Sequence, residues 1–175
     1  MAGTAQRLLE IAREIVASTP DFHKVRGAGD GDHATNSFMR ELRARAEGEF
    51  GSDYSEKRLC GASAFAVDFY FPEERTIVEI ALGLPNPASE FEKDILKALV
   101  AKEHGSAVER LLFISRPGAI RRCQQPGRTL LSEWAAAKHG LRIEVEELGV
   151  EARPPRRRTG RRQRGAATSS TPAVV

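Results

Sequence analysis

Two acidic residues, Asp68 and Glu79, stand inside apolar segments where a carboxylate is costly to bury. They belong to ASAFAVDFYF (62–71) and TIVEIAL (76–82), which are separated by the four residues PEER. If PEER is the loop of a regular hairpin, counting back from it places Asp68 directly opposite Glu79. Opposed side chains have Cβ atoms about 4.5–5.5 Å apart, and like charges so placed destabilise a sheet. Something must therefore offset the repulsion between the two groups.

A divalent cation between Asp68 and Glu79 would do so. Mg²⁺ prefers oxygen ligands and usually binds one or two carboxylates while it keeps several waters. Such an ion activates water and stabilises charge on phosphate oxygens, which is the chemistry of phosphodiester hydrolysis. Two alternatives stay open: one carboxyl is protonated or bonded to a helix end, or the hairpin has another register and the two acids never meet.

The elements that must position this pair follow from the hydrophobic pattern. Both acidic segments are rich in aromatic and β-branched residues in both alternation phases, which is typical of central strands. The sequence predicts an α/β fold with a mixed central sheet flanked by helices, in the order α-β-β-α-β-α-β after an N-terminal helix. The predicted elements are helices at 5–17, from 36 or 37 to about 50, 89–105 and 129–139, and strands at 62–71, 76–82, 110–115 and 141–148.

Charge is distributed unevenly along the chain. The formal net charge is +3, and residues 151–175 contain seven arginines against one acid, or +6, so the remainder carries 3 − 6 = −3. We therefore divide the chain into an N-terminal helix and loop (1–35), one α/β domain (36–148) and an Arg-rich tail (149–175) that is predicted to be disordered. Arginines of this tail would attract phosphates. The candidate contacts are Arg156, Arg157, Arg158, Arg161 and Arg162.

The run Val67-Asp68, ten intervening residues and Glu79-Ile80-Ala81 resembles the core motif of the PD-(D/E)XK nuclease superfamily, an Asp on one strand and (D/E)-x-K on the next. The predicted order of elements also matches the core of that family over roughly residues 36–148. The resemblance implies a restriction endonuclease-like core in which Asp68 and Glu79 hold Mg²⁺ or Mn²⁺.

The sequence departs from the family at Ala81, where the motif has a lysine. Some members carry a substitute on the following helix, and Lys93 is the nearest candidate; the alternative is a solvated surface lysine. Glu92 falls within the apolar arc of the same helix. A capping box with Ser89 is one explanation for it, and an additional metal or water contact is the other.

The family also often keeps a Glu on the helix before the first core strand. Glu41 is the candidate for this supporting role and Glu47 is second to it. The alternative for each is an ordinary exposed helical glutamate.

Other signals have simpler interpretations. GDGDH (29–33) is predicted to be a flexible turn, because it lacks the further ligands of a calcium loop. Trp134 is predicted to lie in the core with Leu130 and Leu131. No ligand spacing relates the four histidines, which are His23, His33, His104 and His139.

The cysteines and the hydropathy indicate a cytoplasmic protein. Cys60 and Cys123 fit neither a disulfide framework nor a zinc site and are predicted to be free thiols. No stretch has the length or apolar character of a membrane span.

The leading hypothesis is a Mg²⁺-dependent endonuclease acting on DNA, with Asp68, Glu79 and Lys93 at its site and a homodimer as an option. The first alternative is a catalytically inactive member of the same fold that binds nucleic acid or serves in an assembly. The second is a structural partner that is tethered to nucleic acid by its tail.

Overall fold

A computed structural model of the protein describes residues 3–24, 30–63, 65–86 and 90–149, so the tail arginines lie outside the described residues. The helices are α1 (Thr4–Ser18), α2 (Asp30–Phe50), α3 (Phe91–Glu103), α4 (Ala119–Cys123) and α5 (Pro126–His139). The strands are β1 (Ser55–Lys57), β2 (Val67–Phe71), β3 (Thr76–Ile80), β4 (Arg110–Ser115) and β5 (Arg142–Glu147).

The strands form one mixed sheet in the order β1-β2-β3-β4-β5. Strand β2 pairs antiparallel with both β1 and β3, and β4 pairs parallel with both β3 and β5. The prediction of an α/β fold with a mixed sheet flanked by helices is confirmed at this level. The change from antiparallel to parallel pairing falls at β3, which carries Glu79.

The hairpin between β2 and β3 has the predicted register. Phe71 pairs with Thr76, and the pairing continues to Phe69 and Val78. The loop between them is a single 3₁₀ turn that ends at Arg75 in the left-handed conformation, with φ of +49°. A four-residue connection leaves the strands little freedom to slip, and the register follows from its length.

The sheet is covered on both faces. Leu112 of β4 belongs to the apolar cluster formed with α1 and α2, whereas the next residue, Phe113, belongs to the cluster formed with α3. Neighbouring side chains of a strand point to opposite faces, so the two clusters lie on opposite sides of the sheet. Strands β3 and β4 are thus withdrawn from water, which is why charge at Glu79 is costly.

Several predicted elements differ from those observed. Helix α2 begins at Asp30 rather than at residue 36 or 37, so the described part of GDGDH, residues 30–33, is helical and the prediction of a turn is wrong. Strand β2 begins at Val67, because the residues before it have no ladder partner. Strand β1 and helix α4 were not predicted.

The prediction for the apolar face of α5 is also wrong. Trp134 is 43% exposed and Leu130 is 68% exposed, because their side of the helix faces solvent, whereas Leu131 is partly buried against the core cluster that contains Ala135. Cys60 and Cys123 are both free, as predicted. Among the described helices, none combines the length and apolar character needed to cross a membrane.

Candidate functional site

The two acids predicted to meet do meet. Asp68 on β2 and Glu79 on β3 line the same cleft, and each carboxyl group influences the pKa of the other. Asp68 Oδ2 also accepts a hydrogen bond of 2.8 Å from the backbone N–H of Ile80, which fixes its orientation. Only 3% of Glu79 is exposed. The hairpin register therefore brings the two side chains together, while their role as metal ligands stays a prediction.

A lysine on α3 occupies the position next to Glu79. Lys97 Nζ lies 2.9 Å from Glu79 Oε1 and 2.8 Å from Asp94 Oδ1, and it donates to the carbonyl oxygen of Ala66 at 3.3 Å. Ala81 lines the same cleft. An amine thus reaches the carboxylates from the helix, although the strand position of the motif is an alanine.

Burial controls the electrostatics of these groups. The pKa of Glu79 is raised to about 8, mainly by burial; the charges of Asp68 and Asp94 contribute to the rise and Lys97 opposes it. Burial also raises the pKa of Asp68, against the hydrogen bond from Ile80, and that of Asp94, against the hydrogen bond from Lys97. When Glu79 is protonated, the repulsion between its carboxyl group and that of Asp68 is relieved. A bound cation would have the same effect.

Lys97 shows the opposite balance. Burial alone would lower its pKa, but the charge of Glu79 and the hydrogen bond to Asp94 outweigh this and raise the pKa above its ordinary value. The side chain is therefore a permanent cation and hydrogen-bond donor. It is unsuited to act as a general base.

Asp68 and Glu79 are the residues of the cleft that could hold a metal ion, and they would do so with few protein ligands. Glu79 Oε1 is buried and close to Lys97, but no hydrogen bond of good geometry reaches it, so its lone pairs remain available. Within the described ranges no group of three or more His, Cys, Asp or Glu side chains converges as a closed metal cage. Two carboxylates plus water are what Mg²⁺ commonly takes, and a closed cage is not needed for it.

The carboxylates line an open cleft of about 410 Å³ at the ends of β2 and β3. Its walls include Thr35, Asp68, Glu79, Ala81, Asp94 and Lys97. A second pocket of about 440 Å³ shares Thr35, Asp68 and Ile80 with it. The exposed side of Asp68 thus borders two adjoining cavities that are large enough for a ligand.

The two candidates predicted on α3 lie elsewhere. Lys93 Nζ pairs with Glu90 Oε1 at 3.0 Å, and about half of the Lys93 side chain is exposed. Glu92 lies 3.5 Å from Arg128 Nε, and its side chain is 58% exposed. Neither lines the cleft, and α3 begins at Phe91 without a side-chain cap. Ser89 lies outside the described residues.

The candidates predicted on α2 also point away from the carboxylates. Glu41 Oε1 pairs with Arg45 Nη2 at 2.5 Å, four residues along the same helix, and Glu47 is exposed. The charged residue of α2 that approaches the site is Arg43, whose Nη2 lies 4.0 Å from Asp68 Oδ1 and also pairs with Glu56. A basic group, rather than the predicted acid, supports the site from this helix.

Sequence reasoning missed Lys97 and Asp94, although a signal for both was present. The two residues are spaced i, i+3 and fall on the helical stripe that also contains Ala98 and Ala101, both fully buried. An acid and a base on the buried stripe of a helix must neutralise each other or meet a polar site.

Comparison of the chain with protein-family models, with curated proteins and with solved structures gave no match. The assignment of a function rests on the residues and geometry described above.

Proposed function

We propose that this protein is a Mg²⁺-dependent nuclease of the PD-(D/E)XK type with a restriction endonuclease-like core, acting on DNA. One observation carries the proposal: Lys97 Nζ lies 2.9 Å from Glu79 Oε1, in the same cleft as Asp68. The acid, acid and lysine of the motif would then all be present, with the lysine supplied by α3. The described strand order and the hairpin register are consistent with that core.

Asp68 and Glu79 are the residues that would hold the metal ion. When bound, Mg²⁺ (or Mn²⁺) supplies positive charge to the phosphate oxygens and lowers the pKa of a coordinated water. Asp68 is held for this role by the N–H of Ile80, and Glu79 by its approach to Lys97. Both carboxyls have raised pKa values, so metal binding must displace the proton that Glu79 carries.

Lys97 would act as a charged donor in this site. Its raised pKa keeps the ammonium protonated, so its contribution is to orient water and to stabilise negative charge on the phosphate. Asp94, whose Oδ1 lies 2.8 Å from Lys97 Nζ, would be a positioning residue because it holds the ammonium group in place. This assignment replaces Lys93, which we had favoured from the sequence.

Cleavage assays on supercoiled, linear and single-stranded DNA with Mg²⁺, with Mn²⁺ and with EDTA test the proposal. We expect metal-dependent cleavage that falls by about 100-fold or more in Asp68→Asn and Glu79→Gln, because each removes a charged ligand without changing shape. Lys97→Met should show a comparable loss of cleavage. If Lys97→Met folds poorly, cleavage is measured with Lys97→Arg, which keeps the positive charge.

Lys93→Met is the matched control, since it removes a lysine one helical turn earlier that pairs only with Glu90 among the described residues. It should cleave like the wild type. Unchanged cleavage in both Asp68→Asn and Glu79→Gln would remove the proposed site. Loss in Lys93→Met with full activity in Lys97→Met would return the lysine role to Lys93.

A second function, a nucleic-acid-binding module without chemistry, is favoured by one feature of Lys97. Oxygen atoms of Glu79, Asp94 and Ala66 lie within 3.3 Å of Nζ, so the protein itself already supplies partners for this cation. Under this proposal the buried charges are a structural network. Calorimetry separates the two functions: titration with Mg²⁺ and Mn²⁺ should give heat that is lost in Glu79→Gln for the nuclease, and no such heat for the module.

A further inference from the structure

The carboxylate cleft is flanked by a basic pocket on each side. The first, of about 440 Å³, adjoins the cleft at Asp68 and is lined by Arg40 and Arg43 of α2. The second, of about 570 Å³, is lined by Arg121 and Arg122, which both lie in α4. Pro85 lines this second pocket, while its neighbours in the chain, Leu84 and Asn86, line the cleft. A single loop therefore separates the cleft from the second pocket.

The two pockets lie on opposite faces of the sheet. Helix α2 packs with α1 through Phe38 and Leu42, in one apolar cluster. Ala119 of α4 belongs to the cluster on the other face, together with α3 residues such as Phe91. The cleft lies between them, where β3 ends. A ligand that reaches both pockets must therefore cross the edge of the sheet and pass over the carboxylates.

Three of the four arginines that line these pockets lack an acidic partner among the described residues, whereas Arg43 pairs with Glu56. Most arginines of the described part of the chain pair with an acid, as Arg45 does with Glu41. Arg40 and Arg121 are exposed and have no acidic partner among the residues described, and Arg122 bonds to the amide oxygen of Gln125. Their charge is therefore not neutralised within the described fold.

The cleft itself has the opposite charge. Asp68, Glu79, Asp94 and Glu90 line it against the single cation Lys97. An anionic substrate is repelled by such a surface unless cations nearby hold its other charges. Arginine binds phosphate oxygens through a fork of donors, and side chains without an internal partner are free to do so.

From this arrangement we infer that the ligand is a polynucleotide strand that runs from α2 to α4 across the end of the sheet. The pocket of Arg40 would bind a phosphate on one side of the reacting phosphate, and the pocket of Arg121 and Arg122 would bind a phosphate on the other side. The inference rests on the proposed function, which supplies the reacting phosphate. It adds the strand path, and it excludes a mononucleotide as the preferred ligand because a mononucleotide has no flanking phosphates.

Equilibrium binding of a fluorescent duplex long enough to pass over both pockets, measured in EDTA so that no cleavage occurs, tests the inference. Three variants of the full chain are compared with the wild type. They are Arg40→Gln, the double variant Arg121→Gln with Arg122→Gln, and the matched control Arg45→Gln. Each pocket variant should bind about 3- to 10-fold more weakly, and the slope of log affinity against log salt should fall by about 1 per lost contact. The control should match the wild type.

The tail arginines are the same in every variant, so a loss reports on the folded part. Equal affinity of wild type and pocket variants, an equal loss in Arg45→Gln, or competition by a mononucleotide as strong as by the duplex would overturn the inference.

Repeating the titration with single-stranded DNA and with RNA identifies the kind of strand. If the pocket variants bind weakly but no variant or wild type cleaves, the proposed nuclease activity fails while the strand path stands. If cleavage occurs and the pocket variants bind as tightly as the wild type, only the proposed strand path fails.

Discussion

Glu79 is the residue whose protonation most affects the site. Its carboxyl has a pKa of about 8 in the fold against an ordinary value of 4.5, mainly because burial disfavours the charged form. A carboxyl with a raised pKa binds its proton more tightly when the protein is folded. Its contribution to stability is therefore complete below pH 4.5 and is lost as the pH rises towards 8.

Replacing Glu79 with Gln should remove this pH-dependent penalty. In EDTA, the free energy of unfolding of Glu79→Gln minus that of wild type should rise between pH 4.5 and about 8 and be flat outside this range. The slope should be at most about 1.4 kcal/mol per pH unit, the value for one proton. Urea unfolding at a series of pH values measures the difference. A difference that does not vary with pH would show that Glu79 titrates normally in the fold.

Lys97 should be far more important for stability than Lys93. Removing it leaves Asp94 buried without its cation, and Glu79 as well once that carboxyl ionises, which costs about 3–5 kcal/mol where both acids are charged. We expect Lys97→Met to lose this amount and Lys93→Met to change by no more than about 0.5 kcal/mol. The loss should shrink at low pH, where both acids are protonated. Chemical unfolding of the two variants side by side provides the comparison, and equal stabilities would contradict the buried network.

At the scale of single residues, the sequence predicted the two acids of the site but not its lysine. The position of Glu79 opposite Asp68 follows from a loop of four residues, and local geometry of that kind is readable from the chain. The choice between Lys93 and Lys97 depends on how α3 is rotated against β3. That rotation is set by tertiary packing, and both lysines satisfy a simple search for a base on this helix.

Helix ends are the clearest test at the scale of elements. Gly140 ends α5 with φ of +60°, where a Cβ is strained, whereas Gly48 lies in the last turn of α2 with no atom within 4 Å of the position of a Cβ. We expect Gly140→Ala to destabilise the protein by about 1 kcal/mol and Gly48→Ala to stabilise it by about 0.5–1 kcal/mol. Thermal unfolding of both variants is the measurement. Destabilisation by Gly48→Ala would mean that α2 does not extend that far.

The elements that sequence analysis missed share a physical cause. Strand β1 has three residues and exists because β2 offers it a partner, so no local pattern predicts it. The first turn of α2 contains glycine and aspartates, whose intrinsic preference is against a helix. Trp134 and Leu130 have helical spacing, but spacing alone does not say which side of α5 meets the sheet.

At the scale of the whole molecule, α1 is part of the core. Leu8 is fully buried in the cluster that also contains Phe69 and Leu112, so the N-terminal helix covers one face of the sheet. We expect Leu8→Ala to lower the free energy of unfolding by about 2–5 kcal/mol. The same substitution at Leu130, which is 68% exposed, should change it by no more than about 0.5 kcal/mol. Chemical denaturation compares the two, and a mild effect at Leu8 would indicate that α1 is dispensable.

The parallel pairing of β3, β4 and β5 has a consequence for the far end of the chain. Three strands running in the same direction finish on a common border, and the last of them, β5, ends at Glu147 beside the N–H groups of Gly118 and Ile120. The described part of the chain thus ends, at Gly149, next to the border that holds the acidic cleft. Seven positive charges follow in the sequence, up to Arg164. The largest cluster of positive charge in the sequence is therefore connected to the fold at the border that carries the acidic cleft, and not at the opposite end of the sheet.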